Sequence, residues 1–246
     1  MLAAGILCAC SISAKEKSAD TRIRDHIVNY WNGINTDSLD AAAIEQHKVD
    51  FVYVVQHADS TTRREAWRLM AKKFDAWPDG LVVDYLGQSD SPLYAPAMLV
   101  EYLQTLRDAL PPDNLSRDVL AYMIEEQSRN LPGSEVADID LVSNGASTSL
   151  HTLISSDTRH CMLIFYDPDC STCNELTSLL SSRDLSDYNV VAVNTTMLSK
   201  KLPTSWTDTR AADFQQLHER FSLPALPSVY FIAPNLIVEK RDAVIQ

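Results

Sequence analysis

Residues 161–176 read CMLIFYDPDCSTCNEL and carry the strongest structural signal in this sequence. The apolar run from Met162 to Tyr166 predicts a short buried β-strand. A turn containing a proline follows, and then two cysteines, Cys170 and Cys173, separated by two residues. The segment after them has the leucine spacing of a helix. A strand that leads through a C-x-x-C motif into the first turn of a helix is the setting of a redox dithiol.

The position of Cys170 favours a reactive thiolate. Unpaired backbone N–H groups and the positive end of the helix dipole stabilise a thiolate at the start of a helix. Cys173 lies about one turn further on and can attack a mixed disulfide formed at Cys170. The alternatives are two unrelated core residues or half of a zinc site. A structural zinc site needs four ligands, and the sequence has no second C-x-x-C pair and no H-x₃-H motif.

Composition limits the possible functions. The 246 residues are 46% hydrophobic, which is enough for the core of one large domain or of two small ones. The chain has 21 basic and 33 acidic residues and a net charge of −12. Because it has no basic patch, nucleic acid is not an expected partner. The five cysteines do not have the pattern of a disulfide framework.

The N-terminal sequence MLAAGILCACS is a short apolar run that ends in a cysteine pair. Leucine at position −3 and a small residue at −1 resemble a bacterial lipoprotein signal, with Cys10 as the lipidated residue. The run has about the minimum length of a signal-peptide core, and no Lys or Arg precedes it, so a basic region would have to lie upstream of this start. The alternative is an ordinary buried N-terminal segment. No later segment reaches the ~20 consecutive apolar residues of a membrane span.

Residues 20–131 are predicted to form an α-helical domain, because their apolar residues recur at helical spacing. We expect Asp20 to cap the first helix and Ser60 to cap the third. The centre of the second helix, Phe51–Val55, is rich in residues that favour strands, so its periodicity is ambiguous. The aromatic residues along these stripes are interpreted as core. Further helices are expected at Pro78–Leu86, Pro96–Leu110 and Leu115–Asn130.

A mixed α/β pattern follows from residue 132 to residue 246. Apolar and acidic residues alternate over Ala137–Leu141, which predicts a half-buried strand. Ser143-Asn-Gly145 is a hairpin signal, and the return strand begins near Thr148. Beyond the C-x-x-C helix we expect strands at Val190–Val193, Ser228–Ile232 and Ile237–Val238, and a helix over Asp213–Phe221. This order predicts an α/β fold with parallel crossovers and a closing hairpin.

Residues from about 133 to 246 resemble a thioredoxin-fold domain of the TlpA/peroxiredoxin-like branch. The hairpin, the strand–Cys170-Ser-Thr-Cys173–helix unit and the segment Leu226-Pro-Ser-Val-Tyr-Phe-Ile232 carry this resemblance. It implies that Pro227 is a cis proline beside the dithiol and shapes the substrate-docking surface. The helical region resembles an uncharacterised domain that precedes thioredoxin-like modules in some envelope lipoproteins. Its matching segments are Ser89-Asp-Ser-Pro-Leu93 and Arg129-Asn-Leu-Pro-Gly133.

Several residues depart from the thioredoxin pattern. Ile164 occupies the position, six residues before Cys170, where thioredoxins place a buried acid. The carboxylates of Asp167 and Asp169 would oppose a thiolate at Cys170 through like charge. Asp167 also replaces the threonine that peroxidases need three residues before their cysteine, which argues against peroxide reduction. The chain ends directly after the last strand, so we expect either that the final helix of the fold is absent or that the sequence is truncated. For Cys161 the alternatives are a third redox cysteine and a buried structural cysteine, and we expect the second.

The sequence therefore predicts three segments: a lipoprotein-type signal and tether at 1–19, an α-helical domain at 20–131 and a thioredoxin-like domain at 132–246. The resemblance implies a thiol–disulfide oxidoreductase of the cell envelope in which Cys170 attacks and Cys173 resolves. Its partners would be disulfide-bearing or dithiol proteins and an upstream electron donor, with membrane contact only through a lipid anchor. No metal and no cofactor is expected. The alternative is a lipoprotein that uses the thioredoxin-like module as a non-catalytic binding scaffold.

Overall fold

The computed structural model describes residues 21–245, which divide into two compact units between Ile124 and Glu125. The predicted lipidation site Cys10 and the predicted cap Asp20 lie outside the described residues. None of the described helices is both long enough and apolar enough to cross a membrane.

The first unit is helical. Its helix α1 covers residues 21–28, and two 3₁₀ segments follow at Tyr30–Gly33 and Thr36–Ser38. The remaining helices are α2 (Ala41–Gln56), α3 (Ser60–Phe74), α4 (Gly80–Gly87), α5 (Pro96–Ala109) and α6 (Ser116–Ser128), which contains the division between the units. Trp67 and Tyr102 are almost fully buried, and their rings meet edge to face at 5.0 Å. These aromatic residues therefore form core, as the sequence predicts.

Two helical details of the first unit refine the sequence interpretation. The ambiguous segment Phe51–Val55 is helical, because Phe51, Val52 and Val55 lie on the buried face of α2. The prediction that Ser60 caps α3 is wrong. The cap is Asp59, whose carboxylate accepts the backbone N–H groups of Thr61 and Thr62 at 2.9 and 3.0 Å.

The second unit is a seven-stranded mixed sheet in the order β2-β1-β5-β4-β3-β6-β7. Its strands are β1 (Asp140–Ser143), β2 (Ala146–Ser149), β3 (His160–Tyr166), β4 (Tyr188–Asn194), β5 (Thr207–Ala211), β6 (Ser228–Ile232) and β7 (Val238–Lys240). Its helices are α7 (Leu150–Ser155), α8 (Ser171–Ser181) and α9 (Phe214–Arg220). Strands β3, β4 and β5 run parallel, and the other neighbours pair antiparallel.

Each face of this sheet has its own buried layer. Alternate residues of β3, such as Leu163 and Phe165, pack with residues of α7 and α9. The intervening residues, such as Ile164 and Tyr166, pack with residues of α8 that include Cys173. Because successive side chains of a strand point to opposite faces, one buried strand supplies both layers.

The hairpin and the first strand differ in how well the sequence predicts them. Asn144 and Gly145 form the two-residue turn between β1 and β2, with φ values of 50° and 80°. Positive φ at both positions suits asparagine and glycine, so the hairpin prediction is confirmed. The strand predicted over Ala137–Leu141 begins only at Asp140. Before it, the backbone N–H of Ala137 donates to the side chain of Asn130 at 2.7 Å rather than to a strand.

Candidate redox site

The fold places Cys170 at the N-cap of α8, after a turn at residues 167–169 that follows the end of β3. The turn between them is held by Asp167, whose carboxylate accepts the N–H of Asp169 at 2.9 Å and whose carbonyl accepts the N–H of Cys170 at 3.1 Å. An N-cap residue faces the unpaired N–H groups of the first helical turn. The strand-to-helix arrangement predicted for the C-x-x-C motif is therefore present.

Two local hydrogen bonds converge on the Cys170 sulfur. The backbone N–H of Cys173 donates to it at 3.2 Å, and the hydroxyl of Thr172 lies 3.0 Å away. The Cys170 side chain is only partly buried, whereas Cys173 is 1% exposed. Cys170, Cys173 and Cys161 are all free thiols. The arrangement therefore has one accessible sulfur with hydrogen-bond donors around it and a second sulfur buried in the α8 layer.

The segment before β6 closes the site from the other side. The Leu226–Pro227 peptide bond is cis, as the resemblance implies. The Leu226 carbonyl accepts the Thr172 hydroxyl at 3.2 Å and lies 3.6 Å from the Cys170 sulfur. The structure thus brings together Cys170, Cys173 and the segment containing Pro227, the three predicted site residues that fall within its described part.

The Cys170 thiol has a lowered pKa. Burial acts to raise it, but hydrogen bonds from the Cys173 thiol, the Thr172 hydroxyl and the backbone of both residues outweigh burial and lower the pKa below its ordinary value. The sequence left open whether donors at the helix start or the neighbouring carboxylates dominate. The donors dominate, and Cys170 is the thiol that ionises first.

Cys173 has the opposite environment. Burial raises the pKa of Cys173 to about 12, assisted by its hydrogen bond to the Cys170 sulfur and by the negative charges of Cys170 and Asp167. A backbone hydrogen bond from Asp167 opposes the rise only in part. The Asp167 carboxylate therefore acts on the buried sulfur. The pKa of Cys170 is lowered and the pKa of Cys173 is raised, so the two thiols of the motif are suited to different chemical roles.

Cys161 lies at the opposite end of β3 and is fully buried. Burial raises the pKa of its thiol to about 12, with a further contribution from Asp157. A buried thiol in this state is inert, so the expectation of a structural cysteine is confirmed.

Ile164, at the position where thioredoxins have an acid, is 3% exposed and lies on the α8 face. Ile164 is paired with Ala192 of β4, and Ala192 is paired in turn with Asp208 of β5. The Asp208 carboxylate accepts a hydrogen bond from the buried Tyr166 hydroxyl at 3.1 Å. Burial raises the pKa of Asp208, and this hydrogen bond only partly offsets the rise. An ionisable group is therefore present on the same face, two strands away from β3.

Sequence reasoning missed two functional contacts, the Thr172 hydroxyl and the Leu226 carbonyl. A hydroxyl residue between the two cysteines is a usable signal for the first. The second is a backbone atom, so no side-chain pattern could have marked it. Within residues 21–245, no group of three or more His, Cys, Asp or Glu side chains is arranged to hold a metal ion.

No protein-family model and no curated protein matches the chain. Among solved structures, it is similar to a thioredoxin-like protein from Bacteroides caccae ATCC 43185, with 19% identity over 92% of this chain and 90% of that one and a TM-score of 0.73. An all-α region therefore precedes a thioredoxin-like fold.

Two other solved structures cover the chain only in part. A conserved protein of unknown function from Bacteroides fragilis has 20% identity and a TM-score of 0.41, over 47% of this chain and 93% of that one. The thioredoxin domain of a thiol-disulfide oxidoreductase from Bacteroides vulgatus has 15% identity and a TM-score of 0.38, over 46% of this chain and 88% of that one.

Proposed function

We propose that this protein is a thiol–disulfide oxidoreductase that reduces or exchanges disulfides of other proteins. The observation that carries the proposal is the contrast between its two motif thiols. Cys170 is partly exposed and has a lowered pKa, while Cys173 is buried behind it and has a raised one. An accessible thiolate beside a buried partner thiol is the arrangement that disulfide exchange requires.

The reaction proceeds in two displacements. The Cys170 thiolate attacks one sulfur of the substrate disulfide, forms a mixed disulfide and releases the other substrate sulfur as a thiolate. Cys173 then loses its proton to water, which passes it to a released substrate thiolate, and the Cys173 thiolate attacks the Cys170 sulfur. This step breaks the mixed disulfide, releases the second substrate thiol and leaves a Cys170–Cys173 disulfide. Two electrons pass to the substrate, and a dithiol donor must return them to the pair.

The structure supports this order of events. In the resting dithiol, the hydrogen bond to Cys170 and the Cys170 charge both help to keep Cys173 protonated. Once the Cys170 sulfur is bound in a mixed disulfide, it carries no charge, and both effects disappear. The pKa of Cys173 then falls toward its ordinary value at the moment when Cys173 must act as the nucleophile.

The remaining roles follow from position and chemistry. Pro227 shapes the surface on which the substrate peptide lies, because Leu226 beside it contacts both Cys170 and Thr172. The cell envelope is the proposed location, with Cys10 as the lipid-bearing residue, and this rests on the N-terminal sequence. The electron donor would be another dithiol protein.

Trapping the mixed disulfide tests the proposal. Reduced Cys173→Ser protein is incubated with insulin, and covalent adducts are mapped by non-reducing mass spectrometry. We expect a Cys170–insulin disulfide to accumulate in this variant, because no resolving thiol remains. Wild type and a Cys161→Ala control should turn over without accumulating it. A Cys170→Ser variant that reduces insulin as fast as wild type would overturn the proposal.

A further inference from the structure

The loop after β4, residues 195–206, presents apolar side chains to solvent. Met197 is 71% exposed and Leu198 is 49% exposed. The loop is nevertheless anchored at both ends. The backbone N–H and the hydroxyl of Thr195 both donate to the carbonyl of Tyr166, at 3.0 and 3.2 Å, and Trp206 is buried in the α8 layer. The two exposed side chains are therefore held on a fixed support.

Two adjoining cavities lie between this loop and β5, with volumes of about 440 and 420 Å³. They share Asn144, Lys200 and Asp208, so they form one continuous depression, called here the β5 groove. Met197 and Leu198 line its first part. The groove follows β5 from Thr207 to Arg210, a length of about 10 Å at the usual rise of a strand. This length matches three or four residues of an extended peptide.

The charges around the β5 groove differ in sign from the chain as a whole. Lys200, Lys201 and Arg210 line it, and none of them forms an ion pair with a carboxylate in the part of the chain that the structure describes. The guanidinium group of Arg210 lies 3.4 Å from the Met197 sulfur. Among the described lining residues the acid is Asp208, which accepts a hydrogen bond from the Tyr166 hydroxyl and whose single charge leaves the cations in excess. The groove is thus cationic in a chain of net charge −12.

The groove approaches the redox motif at Lys200, where its two cavities join. The Lys200 ammonium group donates to the side chain of Asn174 and lies 3.5 Å from the Thr177 hydroxyl, both on α8. Asn174 directly follows Cys173, and its amide donates to the Pro168 carbonyl at 3.4 Å in the turn before the dithiol. A chain lying in the groove would therefore pass beside the first turn of α8.

We propose that the β5 groove docks an acidic, extended segment of the protein whose disulfide reacts with Cys170. Its carboxylates pair with Lys201 and Arg210, and an apolar side chain of the segment packs on Met197 and Leu198. This inference rests on the proposed function and adds a class of partner to it. The long-range field of a chain of net charge −12 favours cationic partners, so a preference for an acidic peptide would have to come from the groove itself.

The test uses two eight-residue peptides with one cysteine each, flanked by Glu and Asp in one and by Lys and Arg in the other. The cysteine is activated as a mixed disulfide with thionitrobenzoate. Attack by Cys170 joins the peptide sulfur to Cys170 and releases coloured thionitrobenzoate, which gives the rate. The variant is Lys201→Glu/Arg210→Glu, since Lys200 contacts α8 and is left in place. The matched control, Arg220→Glu/Lys240→Glu, reverses one Arg and one Lys that are exposed elsewhere on the same unit.

At low salt we expect wild type and the control to react about tenfold faster with the acidic peptide than with the basic one, the sum of a few rim charge pairs. The ratio should approach one at high salt and fall below one in Lys201→Glu/Arg210→Glu. Hydroxyethyl disulfide, which carries no charge, should react equally with all three proteins. Faster reaction of the basic peptide with wild type would overturn the docking proposal, as would an unchanged ratio in the variant.

Direct binding separates this inference from the proposed function. A fluorescein-labelled acidic peptide with serine in place of its cysteine is titrated with each protein and followed by anisotropy. Binding to wild type that is lost in Lys201→Glu/Arg210→Glu supports the groove even if no thiol chemistry occurs. If hydroxyethyl disulfide reacts but the serine peptide does not bind, the groove proposal fails and the proposed function stands. If hydroxyethyl disulfide does not react at all, the proposed function fails.

Discussion

Replacing Thr172 with valine should raise the pKa of Cys170. The Thr172 hydroxyl has a single proton and two acceptors in reach, the Leu226 carbonyl at 3.2 Å and the Cys170 sulfur at 3.0 Å. We expect it to donate to the carbonyl beside a thiol and to the sulfur beside a thiolate. Valine has nearly the same shape but no hydroxyl, and Thr172 is exposed, so the change removes this hydrogen bond with little effect on packing.

The magnitude follows from the strength of one hydrogen bond to a charged group. Such a bond contributes about 1.5–3 kcal/mol when it is shielded from water, and we take about 1 kcal/mol here because the sulfur is partly exposed. This corresponds to a pKa rise of about 0.7 at 1.36 kcal/mol per unit. Below both pKa values, the thiolate fraction and the alkylation rate should fall about fivefold. Above both pKa values, where the reduced pair carries the thiolate, its weaker stabilisation should also make the pair about 20 mV more reducing.

The assay is the pH dependence of iodoacetamide alkylation at Cys170, followed by peptide mass spectrometry so that Cys173 does not contribute. Thr172→Ser is the matched control, because serine keeps the hydroxyl, and it should titrate like wild type. If Thr172→Val and wild type share the same alkylation midpoint, or if the midpoint of Thr172→Ser shifts as far as that of Thr172→Val, the Thr172 hydroxyl does not stabilise the Cys170 thiolate.

Two other predictions concern stability. Arg241 is 2% exposed and donates to the carbonyls of Gln127 and Arg129 at 2.9 and 3.0 Å. Because Arg241→Ala leaves these buried carbonyls without their donor, it should lower the free energy of unfolding, measured in urea, by about 3 kcal/mol. The control Lys240→Ala should be near neutral. Since burial raises the pKa of Asp208, ionising this carboxyl destabilises the fold as pH rises through the folded-state pKa. The difference in free energy of unfolding between Asp208→Asn and wild type should therefore shift in favour of the variant from pH 4 to pH 7. An equal difference at both pH values would contradict this explanation.

The sequence predicts the redox motif well because its signals are strong and local. The apolar run before Cys170 can only be a short buried element, and the cysteine spacing fixes the following helix turn. The Asn144-Gly145 turn is equally local, because its two positive φ values suit those two residues. The sequence could not show whether the pKa of Cys170 is raised or lowered, because the direction depends on which donors lie within hydrogen-bond distance of its sulfur.

The elements that sequence reasoning missed lack such signals. Strand β5, read as TDTRA, has no apolar run and buries only the small Thr209 and Ala211 side chains in the sheet. Helix α7 has six residues, too few to establish a helical period, and its cap Ser149 is also the last residue of β2. Both depend on tertiary pairing, β5 with β4 and β1, and α7 with the buried layer under Leu163. The β5 groove could not be predicted from the sequence either, because it is lined by a strand that the sequence does not predict.

A glutathione redox titration of the Cys170–Cys173 pair, read by thiol alkylation and mass spectrometry, tests the central claim most directly. We expect a reversible two-electron couple between Cys170 and Cys173, with a potential in the range of about −120 to −270 mV found for thioredoxin-like proteins. Cys161 should remain a thiol throughout, since it is fully buried. If the pair never forms a disulfide, or forms one that neither glutathione nor dithiothreitol reduces, the protein is not a thiol–disulfide oxidoreductase.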